Sequence, residues 1–324
     1  MRFRTFKNCL CTASDRKHDS YSGLIVVVSF SVFRKFNFQE LYFIGVGNLS
    51  LLVQASTTMR SMYQFNQIPS EAKVKKYLRQ ILFGRNIHCP RCRNRKVVRY
   101  ENRYRCRSCR EKFSILSHTW LSDMKLPYQK FWLLLWCWTT ATAIRQAVAW
   151  TRLSDDCVRR WYGRFRARLP LETHILERIV QLDEAFFQNM TLMMAKQKGT
   201  RKLAYTVIPG RDPERQHAAN FLFQKVKPGS KLWTDGAGIY RNIERWWPVK
   251  HQADIHRKWQ FGKTSEIEGV FGNYRTFVRQ MYHHHWSRNL EEYVREFCFR
   301  FSSPEMFENP IFYLKKTLSL VPID

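Results

Sequence analysis

Between Lys73 and Leu82 apolar side chains fall at Val74, Tyr77, Leu78 and Ile81, the spacing of one helix face, and Ser70 ahead of Glu71 predicts a cap for a helix running to Phe83. A second helix is expected from Pro127 through Phe131–Trp138 to about Ala143; its near-continuous apolar run is too short and too interrupted to span a bilayer, which predicts a buried helix. Two further helical patterns, 144–150 and 154–168, are broken at Thr151-Arg152-Leu153-Ser154. In the second, Val158, Trp161, Tyr162 and Phe165 share a face while Arg159, Arg160, Arg164, Arg166 and Arg168 point elsewhere. Helix, tight turn, basic helix is the pattern of a helix-turn-helix, although any three-helix bundle with a basic face shares it.

After Pro170 the pattern changes to strands: 179–187, 203–208 ended by Pro209-Gly210, 231–236 and 250–255. A helical stretch separates the second from the third. Helices are also expected over 238–247, from Ser265 onward with Ile267, Phe271, Tyr274 and Val278 on one face, and over 291–301. The first sixty or so residues show only short apolar bursts such as Leu24–Val28 with no sustained period. They read as a poorly structured extension over 1–61, an over-long reading frame being one origin and a small β domain the alternative.

Charge sharpens this picture. The chain's 324 residues carry 55 Lys+Arg against 26 Asp+Glu, a formal charge of +29 and a pI of about 10.1, which points to a polyanionic partner, nucleic acid first. With 15% aromatic residues the charge belongs to a folded body rather than a disordered tail. Nine cysteines, four of them clustered, read as a metal site in a reducing compartment rather than a disulfide framework, so a cytoplasmic, DNA-associated protein without a membrane span is expected.

The clustered four are Cys89-Pro90-Arg91-Cys92 and, thirteen residues on, Cys106-Arg107-Ser108-Cys109, flanking a hairpin turned at Glu101-Asn102. Two CxxC turns aimed at one point predict a zinc ribbon: a closed tetrahedral site of four thiolates, suited to structural zinc and leaving no open position for catalysis. Fifteen Lys/Arg against three Glu between Glu71 and Lys112, with Arg105 and Arg107 among them, suggest that the ribbon meets phosphate.

Candidate chemistry lies in three acids. Asp183 stands near the end of Val180-Gln181-Leu182-Asp183-Glu184, and Asp235 ends a strand released by Gly236. Glu268 opens a helix in Ser265-Glu266-Ile267-Glu268. Converging carboxylates in a basic protein fit divalent-metal phosphodiester chemistry, with Mg²⁺ or Mn²⁺ held by oxygen ligands. Each acid has a plainer reading: a turn or cap for Asp183, a surface charge for Glu184, a turn for Asp235 and a capping box for Glu268. The run His283-His284-His285 cannot turn three adjacent side chains on one ion in regular structure, so DNA contact or packing is expected there.

Taken in order, the CPxC and CxSC ribbon, the LP-x4-W helix, the helix-turn-helix and the LDE, TDG and IEG blocks resemble IS1595-type (ISXO2-like) transposases over roughly residues 62–305. Val207–Pro209, Tyr240 and Met281–His284 fall where that family has similar words. The resemblance implies an RNase H-like core whose DDE-type triad cuts and joins DNA. The implied organisation is multidomain: zinc ribbon with its preceding helix over 62–118, helical helix-turn-helix region over 119–170, α/β RNase H-like catalytic domain over 171–305 and a tail over 306–324. The implied partners are double-stranded transposon ends and target DNA, with a homo-oligomer assembled on them. Two departures stand out. Ser265 occupies a place where many members carry an active-site Asn, so Glu268 is taken as the third acid, and Arg275 replaces a Lys two helical turns beyond it, positioned to grip a phosphate. The rival readings are a zinc-ribbon and helix-turn-helix transcription regulator with a non-catalytic C-terminal domain, and a nuclease that cleaves without joining.

Overall fold

A computed structural model describes residues 68–171, 174–254, 262–284 and 287–321, so the extension expected over 1–61 lies outside the described residues. Helix α1 (Glu71–Phe83) buries Val74, Leu78 and Leu82 at four-residue intervals. Its first residue also serves a neighbour: the Glu71 carboxylate accepts hydrogen bonds from the backbone N–H groups of Tyr128 (3.1 Å) and Gln129 (3.2 Å), satisfying the open N-terminus of α2 (Tyr128–Thr139). The ribbon between them is a three-stranded antiparallel sheet of β1 (Val97–Tyr100), β2 (Arg103–Cys106) and β3 (Lys112–Phe113) in that order. The hairpin expected at Glu101-Asn102 is present, with Glu101 at φ +52°, and β3 completes it.

Helix α2 is buried on most sides, as its apolar run predicts, but stops at Thr139, four residues before the expected end. Thr139 and Thr140 turn their hydroxyls back onto the Trp136 carbonyl, and Ala141 takes φ +54°. Helix α3 (Ile144–Thr151) ends on a left-handed Arg152, and α4 (Asp155–Ala167) starts with Ser154 Oγ accepting from Cys157 N (3.3 Å). Helix, turn, helix is therefore the local geometry.

The remaining strands form a five-stranded sheet: β4 (Ile179–Phe187), β5 (Met190–Gln197), β6 (Leu203–Pro209), β7 (Lys231–Thr234) and β8 (Lys250–Ala253). The order is β6-β5-β4-β7-β8, antiparallel among the first three strands and parallel from β4 to β7 to β8. Three antiparallel strands joined to two parallel ones in this order is the RNase H-like arrangement. Strand β5 has no counterpart in the sequence reading. Its Met-Thr-Leu-Met-Met-Ala run is buried on both faces and so lacks the alternation that marks a half-exposed strand. The helix expected over 238–247 is two short 3-10 turns, Gly238–Tyr240 and Ile243–Arg245, separated by Asn242 at φ +60°.

Both sheet faces are covered. On one lies α5 (Arg215–Lys225), whose Ala218, Phe221 and Leu222 pack with Val180, Leu182 and Tyr240. On the other, Ala185, Phe187, Leu192 and Met194 meet α6 (Ser265–Tyr282) and α7 (Leu290–Ser302). This second core continues without a break into α1, α2 and α4. Residues 306–324, read as a tail, carry α8 (Pro310–Thr317), whose Tyr313 is fully buried, stacks edge-on against Trp138 at 5.0 Å and donates its hydroxyl to Phe165 O (2.8 Å).

One expected surface residue is part of this core. Arg166 is only 7% exposed and pairs with Glu292 (2.8 Å) and Glu296 (3.5 Å); Glu296, itself 0% exposed, also holds Arg300 (2.8 Å). The pairing corrects the reading of α4 as carrying Arg166 on its open side. A buried guanidinium between two carboxylates fastens α4 to α7 instead.

Candidate active site

Parallel pairing of β4 with β7 sets Ile179 beside Lys231, Val180 beside Leu232 and Gln181 beside Trp233. Two residues further along each chain stand Asp183 and Asp235, so the register alone makes them neighbours on one side of the sheet. Asp183 is not at a strand end as expected, because β4 runs on to Phe187 with β5 alongside. It is β7 that stops, at Thr234, and its ladder with β4 ends at Gln181 and Trp233.

Gly236 makes the exit possible. It takes φ +82°, and a Cβ there would stand 3.2 Å from the Asp254 carbonyl oxygen and 3.4 Å from Ala253 Cβ. The turn is held by Asp235 Oδ1 accepting from Ala237 N (2.9 Å) and Thr234 Oγ1 accepting from Gly236 N (3.2 Å). Asp183 Oδ1 accepts from Glu184 N (2.8 Å).

A third carboxylate joins this pair, and it is Glu184. One carboxylate oxygen each from Asp183, Glu184 and Asp235 lies within 4.8 Å of the other two. Glu184 receives a hydrogen bond from the hydroxyl of Tyr240, which is fully buried. Burial raises the Glu184 pKa to about 7; the Tyr240 bond opposes the rise, and the charges of Asp235 and Asp183 add to it. Such a cluster is electrostatically unfavourable on its own and suits a hard divalent cation bound through oxygen. Strand alternation hides Glu184 from a sequence reading, since neighbours on a strand face opposite ways. The adjacent acid pair Asp183-Glu184 and Tyr240 were the available signals.

Glu268 lies outside that cluster. It is exposed in the first turn of α6, where its carboxylate accepts from Thr264 Oγ1 (2.8 Å). The capping box that offered Glu268 its plainer reading is absent among the described residues: Ser265 is the first helical residue, and its hydroxyl reaches the Gly262 carbonyl at 3.4 Å. Glu266 is committed elsewhere, paired with the buried Lys196 and accepting from Gly199 N (3.3 Å). What brings this turn to β4 is Gln181, whose Oε1 accepts from Ile267 N at 3.0 Å. Gln181 and Asp183 share a strand face. Arg275 is exposed further along α6, its guanidinium 5.8 Å from the Phe187 ring and 6.0 Å from the Phe271 ring.

The four ribbon thiols form a separate group. All four sulfurs lie within 4.8 Å of one another, with Cys89 and Cys109, and Cys92 and Cys106, each 3.5 Å apart. A tetrahedron of about 2.3 Å metal–sulfur bonds needs sulfurs about 3.8 Å apart, so the donor set fits. Each CxxC turn aims backbone N–H groups at its first sulfur: Arg91 and Cys92 at Cys89, Ser108 and Cys109 at Cys106. The residue after each second cysteine, Arg93 or Arg110, takes positive φ, so the two knuckles are local copies of one another.

Arg105 and Arg107 on the ribbon and Arg159 and Arg160 on α4 are exposed. Arg159 forms an i,i+4 ion pair with Asp155, and Arg164 turns back onto Asp123 (2.6 Å) and the Trp161 ring (4.4 Å). Of the histidine run, His283 and His284 are exposed, His283 at φ +67°, and His285 lies outside the described residues. Among the described residues no helix is long and apolar enough to cross a membrane.

Residues 176–302 match the family model of the ISXO2-like transposase domain, and residues 69–112 match the transposase zinc-ribbon domain; together they cover more than half of the chain. Over 123 residues the chain is 29% identical to an uncharacterized protein in transposable element ISH50 of Halobacterium salinarum. That match takes in 36% of this chain and 42% of the relative, so the chain spans about two-fifths of the relative's length. Among solved structures, the catalytic core domain of BIV integrase is similar at 12% identity and a TM-score of 0.30, over 38% of this chain and 82% of that one. A simian T-cell lymphotropic virus intasome in complex with a PP2A regulatory subunit is similar at 11% identity and a TM-score of 0.30, over 40% of this chain and 50% of that one. The RNase H-like order is given by the strand pairing itself.

Proposed function

The chain belongs to the IS1595-type, ISXO2-like transposases, and on that premise we propose that it binds the terminal inverted repeats of a transposon and catalyses strand cleavage and strand transfer. The observation that carries this reading is the β4–β7 register, which sets Asp183 beside Asp235 just past the end of β7 in the middle of the sheet. Asp183 and Asp235 hold a divalent cation of the magnesium or manganese type, and Glu268, brought to β4 by the Gln181 hydrogen bond to Ile267, is the third acid of the triad. When bound, such cations neutralise phosphate charge and activate the attacking oxygen.

Water then displaces the 3′-oxygen at the transposon end, leaving a 3′-hydroxyl. That hydroxyl attacks a target phosphodiester in turn, exchanging one P–O bond for another without a covalent protein intermediate. Arg275 grips a phosphate beside the acids. In the ribbon, zinc on Cys89, Cys92, Cys106 and Cys109 maintains the fold. Arg105, Arg107, Arg159 and Arg160 contact DNA, the latter two from the second helix of a helix-turn-helix. The protein works in the cytoplasm as a homo-oligomer on two transposon ends.

The test is a strand-transfer assay with paired transposon ends and Mn²⁺. Loss of joining in Asp183→Asn, Asp235→Asn and Glu268→Gln with DNA binding retained supports the proposal. Full joining by Asp183→Asn overturns it, and cleavage without joining by the wild type favours a nuclease.

A further inference from the structure

We infer that Glu184 is an additional carboxylate ligand of the same cation site and that Tyr240 is a positioning residue that holds it there. The inference rests on the proposed active site but not on Glu268. Strand alternation points Glu184 to the face opposite Asp183, toward the core that contains Val180, Leu182 and Tyr240. A glutamate there would ordinarily be lost to the site. Two features return it. The β4–β7 ladder ends at Gln181 and Trp233 and strand β7 at Thr234, so Glu184 lies past the last paired residues, and one of its carboxylate oxygens comes within 4.8 Å of those of Asp183 and Asp235. The chain then turns at Gly236 into the 3-10 turn Gly238–Tyr240, which brings the Tyr240 hydroxyl to Glu184 Oε2.

Tyr240 is suited to this role. Its ring is 0% exposed, so its position is set by packing rather than by solvent. Its hydroxyl donates to the Glu184 carboxylate. A donor locked on one carboxylate oxygen leaves the other oxygen of Glu184 to the cation, the way an outer hydrogen bond orients an inner ligand. The same turn that places Asp235 therefore also places the partner of Glu184, so segment 234–240 builds two parts of the site at once.

The experiment is Mn²⁺ titration of the full-length, zinc-loaded protein, followed by the electron paramagnetic resonance signal of free Mn²⁺, alongside thermal melts. Glu184→Gln and Tyr240→Phe should each weaken Mn²⁺ binding at least about ten-fold, the effect typical of removing a ligand or its orienting partner. Asp183→Asn should abolish binding. If Glu184→Gln binds Mn²⁺ as the wild type does while Asp183→Asn does not, the assignment of Glu184 is wrong and the active site stands. A Tyr240→Phe protein that melts earlier but keeps wild-type affinity shows a packing role only, which overturns the positioning claim. Wild-type affinity in Asp183→Asn overturns the cation site itself, and this inference with it.

Discussion

Gln181 Oε1 accepts the backbone N–H of Ile267 at 3.0 Å, and this one bond ties the first turn of α6 to the strand that carries Asp183. Gln181 is fully buried, so its removal leaves a buried N–H with no acceptor. Gln181→Leu should destabilise the protein by about 1–3 kcal/mol in urea unfolding. It should also reduce strand transfer with DNA affinity unchanged, because the helix bearing Glu268 loses its anchor. A variant with normal joining would detach Gln181 from the active site.

The buried ionic group of Arg166, Glu296 and Arg300 fastens α4 to α7. Glu296→Gln leaves Arg300 without its carboxylate and Arg166 with Glu292 alone, and a loss of about 3–5 kcal/mol is expected. Chemical denaturation measures it directly. A near-neutral result would mean that water reaches the cluster.

Arginines on α4 should divide by burial. Arg159→Ala and Arg160→Ala, both exposed, should leave the melting temperature in place and each lower the salt dependence of DNA binding by roughly one phosphate contact. Arg166→Ala should do the reverse, unfolding the protein at lower denaturant. Equal effects on binding from all three would refute the division.

The pH behaviour of the cation-free protein follows from Glu184. Its pKa rises from 4.5 to about 7, chiefly through burial. Between those values the folded state keeps a proton that the unfolded chain has released, so stability should fall as pH rises from about 4.5 to 7. Urea midpoints across that range should show the decline, Glu184→Gln should flatten it, and Mn²⁺ should reverse it at neutral pH.

Chelation tests the ribbon. Removing zinc from the four thiols should abolish amide protection in β1 and β2, a unit too small to fold on its own apolar burial. One zinc per chain is expected by elemental analysis, and none in Cys106→Ser.

Local chemistry by itself determined much of this protein. Two CxxC turns around a hairpin specify a thiol cluster, and the spacings of Val74, Leu78 and Leu82 or of Val158, Tyr162 and Phe165 specify helix faces, because each pattern reports burial along a single element. Asp183 and Asp235 could be assigned to strands in the same way. Their adjacency could not be derived from either strand, since it depends on which strands pair and in what register. Only the tertiary structure decided that register and three further points. Strand β5 is covered on both faces and leaves no alternation to read. Arg166 is drawn inward by carboxylates more than a hundred residues away along the chain. Glu184 departs from its expected face because a neighbouring strand ends beside it, and a buried tyrosine from the next turn holds it. In each of these the deciding partner is distant in sequence, and the periodicity of one segment carries no record of it.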